Sequence, residues 1–531
     1  MIYSSMDIHQ NLILTVDLGT SGPKVSVYNV QADLIDSAFA ENCLILKDNG
    51  GAEQEPSDWQ NAIVKAYAEI KQRGKFNSRN IKVVSVTAQW SGTVPIDEKG
   101  NAIFNCINWM DSRGAEYVQK ITDGFLKVDG YDIFKILKWI KYTGGGPTKS
   151  GKDPIAHILY LKHKEPEIYN RAYKFLEPKD FLNTWLTGKI LASYDSITLH
   201  WVTDNRDINN ITYSDSLLKT AGIAKEKLPD LVAANTIIGT VTSDIAKQFD
   251  LNENCVVVSG TPDVHSAAVG SGAVNDFEPH LYIGTSSWLL THLPFKKTDL
   301  LHNMGTVPSA IPGKYLLANE QECAGVNLNF LKNNLFFPKD ELNSEAAPKD
   351  FYKQLDAMAA RIPAGSEGLF YLPWLYGERS PVDDHYARGG LYNMSLHHTR
   401  AHVARAVFEG VALNSRWLLK YVEKTMGKQA QSVRFIGGGA NSAVWSQIIS
   451  DVLNRPIHQV KDPVQANSKG AALLASSAMK WINYTDIPSL VEVEKVYEPN
   501  AKNTKIYDDK FEVFTSIYAK NKGIFTKLNK H

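Results

Sequence analysis

The stretch LILTVDLGTSG, residues 12–22, decides the reading of this chain, because HLYIGTSSWLLT at 280–291 repeats its plan. Each has a short apolar run, a Gly-Thr-Ser turn and a further strand-like run. Residues 12–16 read as a buried strand with Asp17 at its end. The turn at 19–22 leads into the alternating run 25–30, so a β-hairpin is expected. Gly284 follows Gly19 by 265 residues, half of a 531-residue chain. Three matching residues recur often by chance. Their shared place after a strand is what points to a duplication of two α/β halves.

Working outward from the first turn, 57–70 reads as a helix opened by a Ser-Asp cap, with Trp59, Ile63, Ala66, Tyr67 and Ile70 on one face. Residues 81–89 and 255–260 read as buried strands, and 265–272 as a helix rich in small residues. The second half adds a strand at 432–436 and a helix at 445–453. The halves are expected to divide near residue 255, as 10–256 and 257–531. Residues 501–531 hold seven lysines against three acids, with Tyr507, Phe511, Phe514, Ile517 and Tyr518 on one helical stripe. A docked helix with a solvated lysine face is the expectation. Residues 146–152 spell GxxxxGK, but Asp153 stands where a phosphate-binding loop needs a magnesium-binding hydroxyl. That segment is expected to be a flexible surface loop.

Composition bounds the function. Lysine plus arginine and aspartate plus glutamate are 57 each, so the net charge is zero. A protein built to grip nucleic acid carries a basic excess, which is missing here. At roughly 100–200 residues per domain the length suggests two to four domains. The hydrophobic fraction of 44% and charged fraction of 21% suit a large buried core. Cys43, Cys106, Cys255 and Cys323 are far apart, which excludes a disulfide framework and a local thiolate zinc site. Buried free thiols are expected. No run reaches the ~18 apolar residues of a membrane span. The first ten residues lack a basic or apolar leader pattern. A soluble, cytoplasmic protein is expected, without membrane or nucleic-acid partners.

Two Gly-Thr-Ser turns at strand ends can each present successive N–H groups and hydroxyls to an anion. Facing each other across a cleft, they could hold the phosphates of one nucleotide; two ordinary tight turns are the plainer alternative. A carboxylate beside a phosphate nest needs a cation between them, so Asp17 suits a magnesium ion held through water. Asp263 follows a strand through Ser259-Gly260-Thr261-Pro262 and precedes a helix. It stands where open α/β sheets bind ligands and where a carboxylate can take a hydroxyl proton in phosphoryl transfer. By spacing alone a helix cap fits Asp263 equally well. His265, with no Ser or Cys motif near, reads as structural. The Gly437-Gly438-Gly439 turn could seat a flat ring against bare backbone.

Seven stretches in order resemble the FGGY family of carbohydrate kinases, most of all its xylulokinase-like branch. They are VDLGTSGPKVSVYN, WMDSR, EPKDFLNTWLTGK, SGTPD, IGTSSW, GERSPVDDHYARGGLYNMSLHHTR and GGGANS, and the similarity spans about 12–480. The resemblance implies duplicated ribonuclease-H-like (actin/hexokinase-type) α/β domains flanking a cleft. It also implies transfer of the ATP γ-phosphate to a sugar or polyol hydroxyl with Mg2+. On this resemblance Asp263 is the base and Asp17 lies near the metal. Thr20, Ser21, Gly284 and Thr285 hold phosphates, and Gly438, Gly439 and Asn441 lie on the adenine side. The sugar is expected against Gln89, Trp90, Trp109, Asp111 and Asp263.

The chain departs from the family where sugar hydroxyls are read. Ser91 stands in place of the xylulokinase histidine, and Val264 in place of the asparagine after the catalytic aspartate. A site lacking a polar partner discriminates differently, so the acceptor is left as a ketopentose or similar sugar or polyol. Asn393 replaces a glycine of the C-terminal signature. The expected partners are ATP and the sugar, with a homodimer as the assembly to test. The rival reading is a sugar-sensing pseudokinase or an actin-like nucleotide-gated switch.

Overall fold

The predicted hairpin forms with longer arms than the apolar pattern marks. Strand β1 (Leu12–Gly19) pairs antiparallel with β2 (Gly22–Tyr28), so that Asp17 stands opposite Lys24. Strand β3 (Leu34–Phe39) extends the pair. Helix α1 (Pro56–Gln72) buries the predicted face. It starts one residue before the predicted Ser-Asp cap: Glu55 occupies the cap without a side-chain bond and Pro56 opens the first turn. Proline suits that position because its missing N–H has no helical partner there anyway.

Strand β4 (Ile81–Ala88) runs parallel to β1. Helix α2 (Pro178–Thr187) lies further along the chain. Strand β5 (Ile237–Thr240) then pairs with β6 (Val256–Pro262), which runs parallel to β4. The sheet order is β5-β6-β4-β1-β2-β3. The division expected at 256/257 falls at the first residue of β6, a strand of this first sheet. Helix α3 (Asp263–Gly270) follows directly.

The second sheet begins with β7 (Pro279–Ile283) and β8 (Ser287–Leu293), an antiparallel pair around the second Gly-Thr-Ser turn. It continues through β9 (Thr298–Asp299), β10 (Met304–Pro308) and β11 (Tyr315–Ala318). After the long helix α4 (Arg400–Met426) come β12 (Val433–Ile436), α5 (Ala443–Leu453), β13 (Ile457–Val460), α6 (Ala466–Ala478), β14 (Val493–Tyr497) and α7 (Ala501–Asn529). The order is β9-β10-β11-β8-β7-β12-β13-β14. The run β11-β8-β7-β12-β13 repeats β3-β2-β1-β4-β6, with β12 parallel to β7 as β4 is to β1. The duplication is thus topological as well as sequential.

The two halves meet at α3 and α6, which cross at glycines. A Cβ on Gly270 would stand 1.8 Å from the Ala466 carbonyl oxygen, and one on Gly470 1.8 Å from that of Ser266. Only glycine lets backbones approach so closely.

This computed structural model describes residues 10–128, 130–342 and 345–530. Residues 1–9, read above for a leader, lie outside it. No described helix is long and apolar enough to cross a membrane. All four cysteines are free, but Cys43 is exposed where a buried thiol was expected. The loop around 144–153 is not the flexible surface loop its glycines suggested. Asp153 is buried and accepts from Thr148 N and Trp201 Nε1, and Gly144 O accepts from Thr298 of the other half. Helix α7 docks by Tyr507, Phe514, Ile517 and Tyr518. Its lysine face is not wholly solvated. Lys510 is buried and donates to the carbonyls of Gly365 (2.7 Å) and Leu369 (2.8 Å).

Candidate active site

The carboxyl ends of β1, β4 and β6 bring the expected acceptor residues together. Beyond β4, Gln89 Oε1 accepts from the Thr20 hydroxyl (3.0 Å) and from Asn108 Nδ2 (3.0 Å), and Gln89 Nε2 donates to Gln54 Oε1 at 2.5 Å. Trp109 Nε1 donates to the Thr20 hydroxyl at 3.0 Å. Thr20, expected among the phosphate contacts, ties the first turn to the acceptor wall through its hydroxyl. Trp90 donates to Ser196 O (2.9 Å) and stands edge-on to His265, with ring centres 5.1 Å apart. His265 is buried, and burial pushes its imidazole down to about 3. A neutral packing partner for Trp90 is what such a ring can be.

Asp111 lies in the same wall but is saturated by its neighbours. It accepts from Ala52 N at 2.9 Å and from Arg113 Nε at 2.9 Å, and Arg113 also pairs with Glu53 at 2.7 Å. Ser91 has a positive φ of 68° and donates to Lys152 O at 2.8 Å. This fastens the 144–153 loop against the wall.

Asp263 is the first residue of α3, with Pro262 before it as the cap. It is half-buried and its carboxylate accepts from Val264 N at 2.8 Å. Desolvation first, then the like charge of Asp17, push its carboxyl up to about 7; Glu320 adds to this. Asp17 is itself raised by burial, with Lys24 and a hydrogen bond to Asn467 pulling the other way. Both aspartates also act on Tyr282 of β7, held at about 12 mainly by burial. The strand that leads to the second turn therefore lies close to both carboxylates.

At that second turn, a Cβ on Gly284 would meet the Tyr282 hydroxyl at 2.3 Å. Thr285 and Ser21 are exposed, and Thr285 O accepts from Ala324 N at 2.9 Å. At the end of β12, Gly437 has a φ of +86°, and a short 3-10 turn spans Gly438–Asn441. Gly439 packs on Ile283, whereas the space where Gly438 would carry a Cβ is open and Asn441 is exposed. The positions expected on the adenine side thus form an open shelf beside the end of β7.

Sequence reasoning missed a charged cluster on the cleft wall of the second half. Arg379 pairs with Glu320 and Glu322. Glu378, which burial raises to about 7, accepts from Glu322 N and Arg379 N, both at 2.9 Å. Burial and the nearby Arg379 charge push Lys152, on the opposite half, downward. The only signal was the GERSP stretch, which holds Glu378 and Arg379. Glu320 follows β11 with nothing in its spacing to mark it. Gln54 and Asn108, which hold Gln89, were equally silent.

Two family models match the chain. The FGGY family of carbohydrate kinases, N-terminal domain, covers residues 12–270, and the C-terminal domain of the same family covers 281–479. A xylulose kinase of Staphylococcus epidermidis is 28% identical over 530 residues, 98% of this chain and 99% of that protein. Among solved structures, a gluconate kinase from Lactobacillus acidophilus superposes with a TM-score of 0.85 at 24% identity, over 98% of this chain and 99% of that one. A ligand-bound xylulose kinase from the same organism gives 0.84 at 24% identity, over 98% and 100%.

Proposed function

The chain belongs to the FGGY family of carbohydrate kinases, and from that premise we propose that it phosphorylates a ketopentose or a similar sugar or polyol, xylulose-like in shape, with Asp263 as the base. That it is an ATP-dependent carbohydrate kinase follows from the family. The base assignment rests on one observation: Asp263 opens α3 at the end of β6, half-buried and within reach of the charges of Asp17 and Glu320. A carboxyl raised to about 7 is close to the working pH, where a general base is most effective. The acceptor oxygen bonds to the γ-phosphorus as the bond from that phosphorus to the β-bridging oxygen breaks; the hydroxyl proton passes to Asp263. Gln89, Trp90 and Trp109 orient the sugar, and Asp111 stiffens the wall through Arg113. Closure of the halves excludes water that would otherwise accept the phosphoryl group.

The donor set also fits magnesium. Asp17, Asp263 and Glu320 are hard oxygen donors, and the charges of Asp17 and Glu320 raise Asp263. No metal-holding group of three His, Cys, Asp or Glu occurs among the described residues. The ion would therefore be held by Asp17, water and phosphate oxygens, supplying positive charge beside the phosphates. The turns at 19–22 and 284–286 and the open shelf at Gly438–Asn441 suit the phosphates and adenine. With ATP as donor, the cytoplasm is the compartment that fits.

Xylulose is supported by the S. epidermidis relative. Ser91 and Val264 are why the acceptor is proposed as a class. ADP release measured over a panel of ketopentoses, polyols and aldonates tests this reading. Strong stimulation by a ketopentose or polyol is expected. Turnover that no sugar changed would support the nucleotide-switch reading, which the family does not favour.

A further inference from the structure

The strand that delivers Asp263 is not regular. Between Val258, opposite Ser85, and Thr261, opposite Thr87, two residues of β6 face the single residue Val86 of β4. The extra residue makes a bulge at Ser259-Gly260. Gly260 has a φ of +70°, and a Cβ on it would stand 2.1 Å from the Val86 carbonyl oxygen. Bulges re-aim the chain that follows them, and Asp263 comes three residues after this one.

The bulge is held from three sides. Its N–H groups donate outward, Ser259 N to Thr236 O (2.8 Å) and Gly260 N to Ala234 O (2.9 Å). The Ser259 carbonyl, turned out of the ladder, accepts from Lys179 Nζ at 2.8 Å and Asn183 Nδ2 at 2.6 Å. Lys179 and Asn183 are one helical turn apart on α2, so one face presents both donors. The Thr261 hydroxyl donates to Asp195. Lys179 is also paired with Asp180, which holds Ser196. All of these side chains are buried. Two carboxylates and an ammonium buried together are costly to assemble for packing alone, and here they converge on the backbone that leads to the base.

We propose that Asn183, Lys179 and the Thr261–Asp195 pair are positioning residues for the phosphoryl transfer: they clamp the Ser259–Thr261 bulge and thereby fix where the Asp263 carboxylate meets the acceptor hydroxyl. The proposal rests on Asp263 being the base. All four are buried, and their bonds run to the bulge and to one another. A loosened clamp should therefore weaken the chemical step while leaving binding of both substrates intact.

The experiment uses the full chain with Asn183→Leu and Thr261→Val, both near-isosteric, and Thr261→Ser, which keeps the hydroxyl. Turnover is normalised to the number of ADP-binding sites, so that only folded protein is counted. Expected for Asn183→Leu and Thr261→Val is a fall in kcat of up to about 100-fold, as a misplacement near 1 Å can give. Their KM values for sugar and ATP should stay within about twofold, and Thr261→Ser should stay close to wild type. A kcat near wild type in both, or a raised sugar KM with unchanged kcat, would overturn the clamp. Asp263→Asn assayed beside them separates the two readings. If it is as active as wild type, the base assignment falls and the clamp with it. If it is inactive while the clamp variants are unaffected, the clamp alone falls.

Discussion

Asp263 must be neutral enough to sit beside Asp17 and Glu320, yet ionised enough to take a proton. Desolvation and those two charges set its carboxyl at about 7. The base works as the carboxylate, and its ionised fraction grows with pH, so activity is lost as pH falls through that value. The kcat/KM for the acceptor should therefore rise from about pH 5.5, by up to about tenfold per unit, and level off near about 8. A profile flat across that range would remove Asp263 from the rate equation. Residue by residue, the candidate positions that the sequence marks are those where chemistry and strand ends coincide. Asp17 lies near the end of β1, and Asp263 and Gln89 directly follow β6 and β4. The pairing of Glu320 with Arg379 was not legible, because it joins two loops far apart in the chain. The bond from Trp109 to the Thr20 hydroxyl was not legible either, since a hydroxyl in a glycine turn says nothing of a distant indole.

At the scale of elements, apolar periodicity located β1, β4, β6 and α1, and the repeated turn located the β7–β8 hairpin. What it missed has physical causes. Helix α1 starts on Pro56 because proline outcompetes the predicted cap. The loop at 144–153 is anchored by a buried aspartate bonded to Trp201 and by the bond from Thr298 to Gly144 O, which its glycines and lysines conceal. Helix α7 hides Lys510 among carbonyls because one long side chain can cap a neighbouring loop. The glycine crossing of α3 and α6 gives an element-scale prediction. Gly470→Ala places a methyl 1.8 Å from Ser266 O, so the helices must part. Thermal or denaturant unfolding should show a loss of about 1–3 kcal/mol. An unchanged midpoint would mean that the crossing relaxes freely and does not fix the halves against each other.

For the whole molecule, a zero net charge conceals strong local fields. Carboxylates from both halves converge at the cleft, with Arg379 and Lys152 on its walls, and a small anionic donor needs no global basic surface. Each of the duplicated sheets carries one Gly-Thr-Ser turn, at the β1–β2 and β7–β8 hairpins. The central claim is that Asp263 takes the proton of a sugar hydroxyl as ATP transfers its γ-phosphoryl group. The most direct measurement is sugar-dependent ADP release by the wild type and Asp263→Asn, with ADP binding measured on both. The account predicts release that depends on a sugar or polyol, a loss of about 100-fold or more in Asp263→Asn, and undiminished ADP binding. Near-normal sugar phosphorylation by Asp263→Asn would contradict it.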